Sequence, residues 1–328
     1  MSSLDLSIIM PARNEHPQAT FTLQSMWDQL EDAPFSWETI LVDNKSDDKT
    51  ATYAEERFWG GRGTATGRHR VLRYTTRGSC WGARNMGLAA AEGRITIFFD
   101  AHVVVSPDLF VRILSFMDAE PSATICYIPV VWMGDSKRNR AYGYSLGENN
   151  SHMRSKFWGS WTKKRLSPDP YLIPMSGTAG MAVRTDWLKP IGWPEPMRIY
   201  GGGEQWVSML CWMTGGSCWI HPDTYVYHLS DTRGYNRKDI IEAEGGFNEA
   251  HFFNKALVAY SLGGEKWWKV VVAEIEKKFP PPYTEKGIEL AWDAKRAATQ
   301  SRRLVESIAT RTLDEVLEME PWAQKAVV

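Results

Sequence analysis

The stretch Ile95-Thr96-Ile97-Phe98-Phe99-Asp100-Ala101-His102-Val103 constrains the fold of this chain more than any other. Five consecutive β-branched or aromatic residues after Gly93-Arg94 suit a strand covered on both faces, as in a parallel sheet flanked by helices. The run ends abruptly in an acid and an imidazole. In extended backbone, residues i and i+2 share a face, so Asp100 and His102 are expected to point the same way while the small Ala101 turns aside. This predicts a two-pronged ligand at the carboxyl end of a central strand, where open α/β sheets bind their ligands.

Upstream the same pattern recurs. Leu6 to Met10 reads as a first strand, ended by Pro11-Ala12-Arg13-Asn14-Glu15, and Ala19 to Leu30 has helical spacing of apolar residues. Thr39 to Val42 is a second strand closing in Asp43-Asn44-Lys45-Ser46-Asp47-Asp48, followed by a helix over Thr50 to Phe58. The glycine-rich, basic segment Gly60 to Arg70 reads as a loop and Val71 to Tyr74 as a third strand. Its polar exit, Thr75 to Trp81, leads into an alanine-rich helix from Ala83 to Glu92. Strands alternating with helices, each strand ending in polar residues, predict a doubly wound sheet of the nucleotide-binding type.

With 328 residues, 43% hydrophobic and 23% charged, the chain can bury a large core, which excludes disorder as the default. A formal net charge of −1 gives no global field for nucleic acid or anionic membrane. Cys80, Cys126, Cys211 and Cys218 lack CxxC spacing, so buried free thiols in a reducing compartment are expected in preference to disulfides or a zinc site. The N-terminus has no basic n-region followed by an apolar core, and no window approaches the ~20 apolar residues of a membrane span. A soluble, cytoplasmic protein is expected, and the sequence says little about its oligomeric state.

Four segments in order, Ser7-Ile-Ile-Met-Pro-Ala-Arg-Asn-Glu15, Ile40-Leu-Val-Asp-Asn-Lys-Ser-Asp47, Gly82-Ala-Arg-Asn-Met-Gly-Leu-Ala-Ala-Ala-Glu-Gly93 and Phe98-Phe-Asp-Ala-His102, resemble the nucleotide-sugar-binding half of GT-A glycosyltransferases, particularly family 2. The resemblance implies an α/β fold, a Rossmann-like three-layer α/β/α sandwich with a mixed central sheet, here with added C-terminal helices. It implies a glycosyltransferase domain over 1–265, with 1–105 holding the nucleotide sugar and 106–265 serving the acceptor. Residues 266–328 would be a C-terminal helical extension, with Pro280-Pro281-Pro282 as its punctuation.

The activity so implied is metal-dependent transfer of a sugar from a nucleotide sugar, a UDP-sugar, to an acceptor hydroxyl. Asp43 would recognise the uracil, Asp100 and His102 would hold Mn²⁺ (or Mg²⁺) on the diphosphate, and Arg84 would lie close to that diphosphate, with Pro11, Arg13 and Glu15 also in the donor site. The residue types have their own reason. A diphosphate leaving group carries charge that a divalent ion offsets directly, and a hard oxygen beside an imidazole suits Mn²⁺ better than an all-oxygen Mg²⁺ cage. Asp43 read without the resemblance is a turn-forming Asx residue.

The Asp-x-His variant is similar to the polypeptide N-acetylgalactosaminyltransferases of family 27. So is the order of Met175-Ser-Gly-Thr-Ala-Gly-Met-Ala-Val-Arg-Thr-Asp186, Ile191-Gly192, Met197 to Gln205, Trp212-Met-Thr-Gly-Gly216 and Val226-Tyr-His228. By that comparison His228 is a third metal ligand, and Gly177, Gly202, Gly203 and Gln205 belong to the acceptor or sugar pocket. His221 has no match and is read as structural.

Tyr200-Gly-Gly-Gly-Glu-Gln205 departs from the Trp-Gly-Gly-Glu of these relatives. If Glu204 equals the family glutamate, a residue is deleted before Trp212 and retention of configuration is implied. If the spacing is kept, Gly203 replaces that glutamate and Glu204 falls where inverting enzymes carry their catalytic base. The second register is preferred, because an indel inside a helix over Gln205 to Met213 would rotate its buried face by about 100°. Glu204 can equally be an acid favoured at a helix N-terminus.

Lys156-Phe-Trp-Gly-Ser-Trp-Thr-Lys-Lys-Arg165 mixes aromatics with cations, which makes Trp158 and Trp161 candidates for an acceptor flap, or a solvated loop whose tryptophans pack on the sheet. Asn248 to Trp268 reads as a helix and turn packed on the core, without chemistry. The acceptor stays open between a glycan, a protein, a small molecule and hydroxymethylated pyrimidines in phage DNA. A catalytically idle sugar-nucleotide or nucleic-acid binding module is the alternative of another class.

Overall fold

The computed structural model describes residues 4–58, 67–133, 140–146, 159–229, 247–278 and 281–323. Its first half alternates as β1 (Leu4–Ala12), α1 (Gln18–Leu30), β2 (Trp37–Asp43), α2 (Thr50–Phe58), β3 (Gly67–Arg73), α3 (Cys80–Ala90) and β4 (Gly93–Phe99). The short β5 (Val103–Val105), α4 (Leu109–Ala119), β6 (Ala123–Tyr127), β7 (Val130–Trp132), β8 (Arg140–Ala141), β9 (Tyr144–Leu146) and β10 (Gly159–Trp161) follow. Then come β11 (Tyr171–Leu172), β12 (Gly180–Arg184), α5 (Thr185–Leu188), α6 (Gly203–Met213), β13 (Ser217–Ile220) and β14 (Val226–His228). The last described elements are α7 (Phe247–Lys278), α8 (Tyr283–Ala297), α9 (Thr299–Ile308) and α10 (Leu313–Met319).

An eight-stranded sheet in the order β11-β13-β6-β12-β4-β1-β2-β3 is the backbone of the molecule. Pairing is parallel from β3 through β2 and β1 to β4, and β12 runs antiparallel to both β4 and β6. The mixed sheet and flanking helices are the α/β architecture expected. β2 is buried along its whole length and Ile95, Ile97, Phe98 and Phe99 are all in the core, as unbroken apolar runs require when helices cover both faces.

A smaller sheet, β5-β14-β7-β8, meets the large one at the end of β4. Here the expectation of one extended run through Val103 fails: β4 stops at Phe99, Asp100 to His102 form a turn, and Val103 starts β5 in the second sheet. The buried hydroxyl of Thr22 in α1 holds that turn, donating to the Ala101 carbonyl at 2.9 Å and accepting from the Val103 N–H at 2.9 Å. A single side chain thus satisfies backbone groups that an interrupted strand leaves open.

Three other boundaries shift. β3 starts at Gly67 instead of Val71, pairing with β2 along its length. A Cβ at Gly67 would lie 2.1 Å from the Trp37 ring, so this approach needs glycine. Arg68 and Arg70, read as loop cations, reach the buried Glu38 at 3.1 and 3.0 Å. α3 starts at Cys80, ahead of Ala83, because Ser79 caps it by accepting from the Gly82 N–H at 3.2 Å. α7 runs past Trp268 to Lys278, with a break at Gly264, where φ is 65° and ψ −154°. The C-terminal helices pack back on α6, with the Thr310 and Arg311 N–H groups both donating to the Met213 carbonyl.

Candidate functional site

The turn at the end of β4 and the strand β14 together assemble the site. β14 pairs antiparallel with β5, setting His228 opposite Val103, and the Leu229 N–H donates to the His102 carbonyl at 2.9 Å. The His102 and His228 rings meet edge to face, with centroids 4.6 Å apart. Among the described residues, Asp100, His102 and His228 form a group whose ligand atoms all lie within 4.8 Å of one another. The two prongs expected on one strand face therefore do converge, through a turn and not by strand alternation.

Each side chain of this group is held by a partner. The Asp100 carboxylate accepts from Arg84 at 2.9 Å through Oδ1 and from His228 Nε2 at 3.3 Å through Oδ2. His102 Nδ1 donates to both oxygens of the buried Glu15, at 3.0 and 3.1 Å. That bond fixes the tautomer with the lone pair on Nε2, the arrangement in which a carboxylate backs a metal-binding imidazole. Burial alone would raise the Asp100 carboxyl, but the His228 bond and the charge of Arg84 oppose it, and the group is held far below the usual carboxylate range.

A cavity enclosing about 700 Å³, open solvent at its mouth included, is lined by Pro11, Arg13, Glu15, Arg84, Asp100 and His102. Sequence reading missed its other walls, Asn44, Gly78 to Cys80, and Ile199 with Tyr200. Asp43 does not line it. Its Oδ1 accepts from the Ser46 N–H at 3.3 Å and its Oδ2 faces Arg73 at 3.3 Å, so the Asx turn forms and the neighbouring Asn44 reaches the cavity instead.

Glu204 is buried at the start of α6, whose N-cap Gly202 has φ +81°, and its Oε1 accepts from the Thr178 hydroxyl at 3.0 Å. Burial pushes its carboxyl up from the ordinary value, against the pull of Arg84 and Thr178. Gly203 is buried beneath Trp81, and Gln205 is buried with no partner for its Oε1 among the described residues. Gly177 meets the Trp161 indole, with a Cβ there only 2.8 Å from the ring. Trp161 in turn stacks on Tyr144, centroids 3.9 Å apart, so the two residues do come together beside Thr178. Trp158 lies outside the described residues. His221 packs against Phe116, away from the metal-type cluster.

Comparison with known proteins agrees with this geometry. The chain is 24% identical over 276 residues to polypeptide N-acetylgalactosaminyltransferase 9 of Macaca fascicularis, covering 81% of this chain and 42% of that protein. It spans less than half the length of that relative. Among solved structures, N-acetylgalactosaminyltransferase T7 with UDP, GalNAc and Mn²⁺ superposes with a TM-score of 0.69 at 16% identity, covering 99% of this chain and 58% of that one. Residues 1–349 of S. aureus TarS in complex with UDP-GlcNAc do so with a TM-score of 0.55 at 16% identity, covering 98% and 88%. These likenesses show the GT-A fold. The profile of glycosyl transferase family 2 matches residues 7–192, more than half of the sequence, and the chain belongs to that family.

Proposed function

We propose that this glycosyltransferase moves a sugar from a UDP-sugar to an acceptor hydroxyl, with Mn²⁺ (or Mg²⁺) held by Asp100, His102 and His228 and Glu204 as general base. The observation that carries the reading is the convergence of these three side chains, from a turn and a strand 128 residues apart, at a cavity whose wall holds Asp100 and His102. One carboxylate oxygen and two imidazoles, one of them backed by Glu15, fit such an ion. A bound divalent ion would offset the charge gathering on the departing diphosphate. Arg84, tied to Asp100 and buried, keeps a permanent positive charge in the same wall.

Glu204 takes the proton of the acceptor hydroxyl as its oxygen forms the new bond to the anomeric carbon and the bond to the diphosphate breaks. In-line attack of this kind inverts configuration. Burial that raises a carboxyl makes it a stronger base, and Thr178 fixes one of its oxygens. The acceptor belongs to the hydroxyl-bearing class. Hydroxymethylpyrimidine DNA draws little support, because Arg68, Arg70, Arg73 and Arg165 are engaged in ion pairs with Glu38, Glu92, Asp43, Glu55 and Asp223. No described helix is long and apolar enough to cross a membrane.

The test is release of UDP from UDP-GlcNAc, UDP-GalNAc and UDP-glucose with Mn²⁺ and with EDTA, for the wild type and Asp100→Ala. Metal-dependent release, lowered at least ~10²-fold in the variant, is expected. An idle binding module would bind UDP and release none from any donor.

A further inference from the structure

Asn254 sits on α7, in a stretch whose sequence suggests only packing, and is fully buried. Both ends of its side-chain amide are bonded to one loop. Oδ1 accepts from the Arg198 N–H at 2.8 Å, and Nδ2 donates to the carbonyls of Arg198, Tyr200 and Gly201 at 2.7, 3.0 and 3.0 Å. Only an uncharged side chain with a donor and an acceptor at one tip can do this; an aspartate there would set a negative charge against three carbonyls.

The loop so held has a conformation that ordinary residues resist, with φ of +93° at Gly201 and +81° at Gly202. His251, one turn before Asn254, fills the remaining space: a Cβ on Gly201 would lie 2.7 Å from its ring. From the opposite side the donor half grips the same segment. The Ser79 hydroxyl donates to the Met197 carbonyl at 3.0 Å and the Cys80 N–H to the Ile199 carbonyl at 3.1 Å. The loop contributes Ile199 and Tyr200 to the cavity wall and ends at Gly202, the cap of the helix that carries Glu204.

We infer that Asn254 is a positioning residue of the transfer reaction: acting through the Arg198–Gly201 loop, it sets where Tyr200 bounds the nucleotide cavity and where α6 presents Glu204. The inference rests on the role given to Glu204 above. Displacing a reacting group by about 1 Å can cost ~10²-fold in rate, so a small slip of the loop is felt in turnover before it is felt in the fold.

Asn254→Asp and Asn254→Ala test it, assayed with UDP-GlcNAc and UDP-GalNAc, Mn²⁺ and water as acceptor, well below the lower of the variants' melting temperatures. Expected are a kcat at least ~30-fold lower and a displaced acid limb of the pH–rate profile, with the donor KM changed far less. A residue that only stabilises the fold would lower Tm and leave kcat and the pH profile of the folded enzyme unchanged, which overturns the inference. Hydrogen exchange of the Arg198 amide supplies a reading independent of turnover. It should quicken at least ~10-fold in Asn254→Ala, which removes the Oδ1 that accepts from this amide, and unchanged protection there overturns the clamp. If the wild type releases no UDP, the reading of Glu204 fails, and the exchange result still decides whether Asn254 holds the loop.

Discussion

The indole of Trp81 occupies the space into which a side chain at residue 203 would project. A Cβ built on Gly203 would lie 2.3 Å from Cη2 and Cζ3 of that ring. Trp81 cannot give way easily, since it is buried and stacked on Trp193 and Tyr200 with centroids 5.7 and 6.3 Å away. The position that keeps the family spacing therefore cannot carry a carboxylate in this chain, and the acid next to it, Glu204, is the one that faces Thr178.

Gly203→Ala should accordingly destabilise the fold by about 1–3 kcal/mol, the usual cost of overpacking. Trp81→Ala alone should cost about 3–5 kcal/mol, and the double variant less than the sum, because the cavity admits the new methyl. Urea midpoints for the four proteins measure this. Strict additivity would mean that the two residues do not exclude each other.

For Glu204 the sign is set by burial. Its folded carboxyl ionises above the ordinary value of 4.5, so between that value and the raised one the folded state holds a proton that the unfolded chain has released. Folding stability contributed by this group falls as pH rises through that window, and Glu204→Gln should flatten that part of the stability profile. The same substitution should lower transfer by ~10²- to 10⁴-fold. Near-normal transfer would leave Glu204 as a helix-terminal acid only.

Thr22→Val removes the hydroxyl that pins the turn while keeping its volume. The Ala101 carbonyl and Val103 N–H lose their partner, costing about 1–3 kcal/mol, and Mn²⁺ affinity should fall about 10-fold as the ligands lose their setting. Calorimetric Mn²⁺ titration reads the second effect; wild-type affinity in the valine variant would show that the turn keeps its shape unaided.

His69 gives the opposite pH sign. Packed between Trp27 and Trp37 and bonded to the Thr39 hydroxyl, it is pushed by burial from 6.5 down to about 4. As pH falls, the unfolded chain takes up its proton first. The contribution is complete above about pH 6.5 and is lost on the way to about 4, some ~3 kcal/mol at about 1.4 per unit. Urea unfolding of wild type and His69→Phe at pH 7 and 4.5 should show the steeper loss in the wild type, and an NMR titration should place the imidazole near 4.

The parts of this molecule legible in its sequence are those set by local periodicity and by short-range order. The runs in β1, β2 and β4 announce a buried parallel sheet because their apolar residues are continuous. Asp100, His102 and His228 are readable because motif order preserves which residues approach. Long-range substitutes for local rules were not readable. Nothing around Thr22 signals that its hydroxyl ends a strand at Phe99, and nothing around Asn254 signals a partner 56 residues away. The basic residues of β3 looked like a loop because their counter-charge, Glu38, is buried in the neighbouring strand. Asp43 has a partner that sequence does not show, Arg73 on the neighbouring strand.

The stitching of the small sheet has a consequence for the order in which the protein matures. Two metal-type ligands are made with the first third of the chain, but His228 joins them only when β14 inserts between β5 and β7. A nascent chain that has not reached β14 has an incomplete ion site. Were an ion bound at the complete site as proposed, its binding free energy would enter the folding equilibrium of both sheets together, so that removing divalent ions would be expected to lower the stability of the finished protein as well as its turnover.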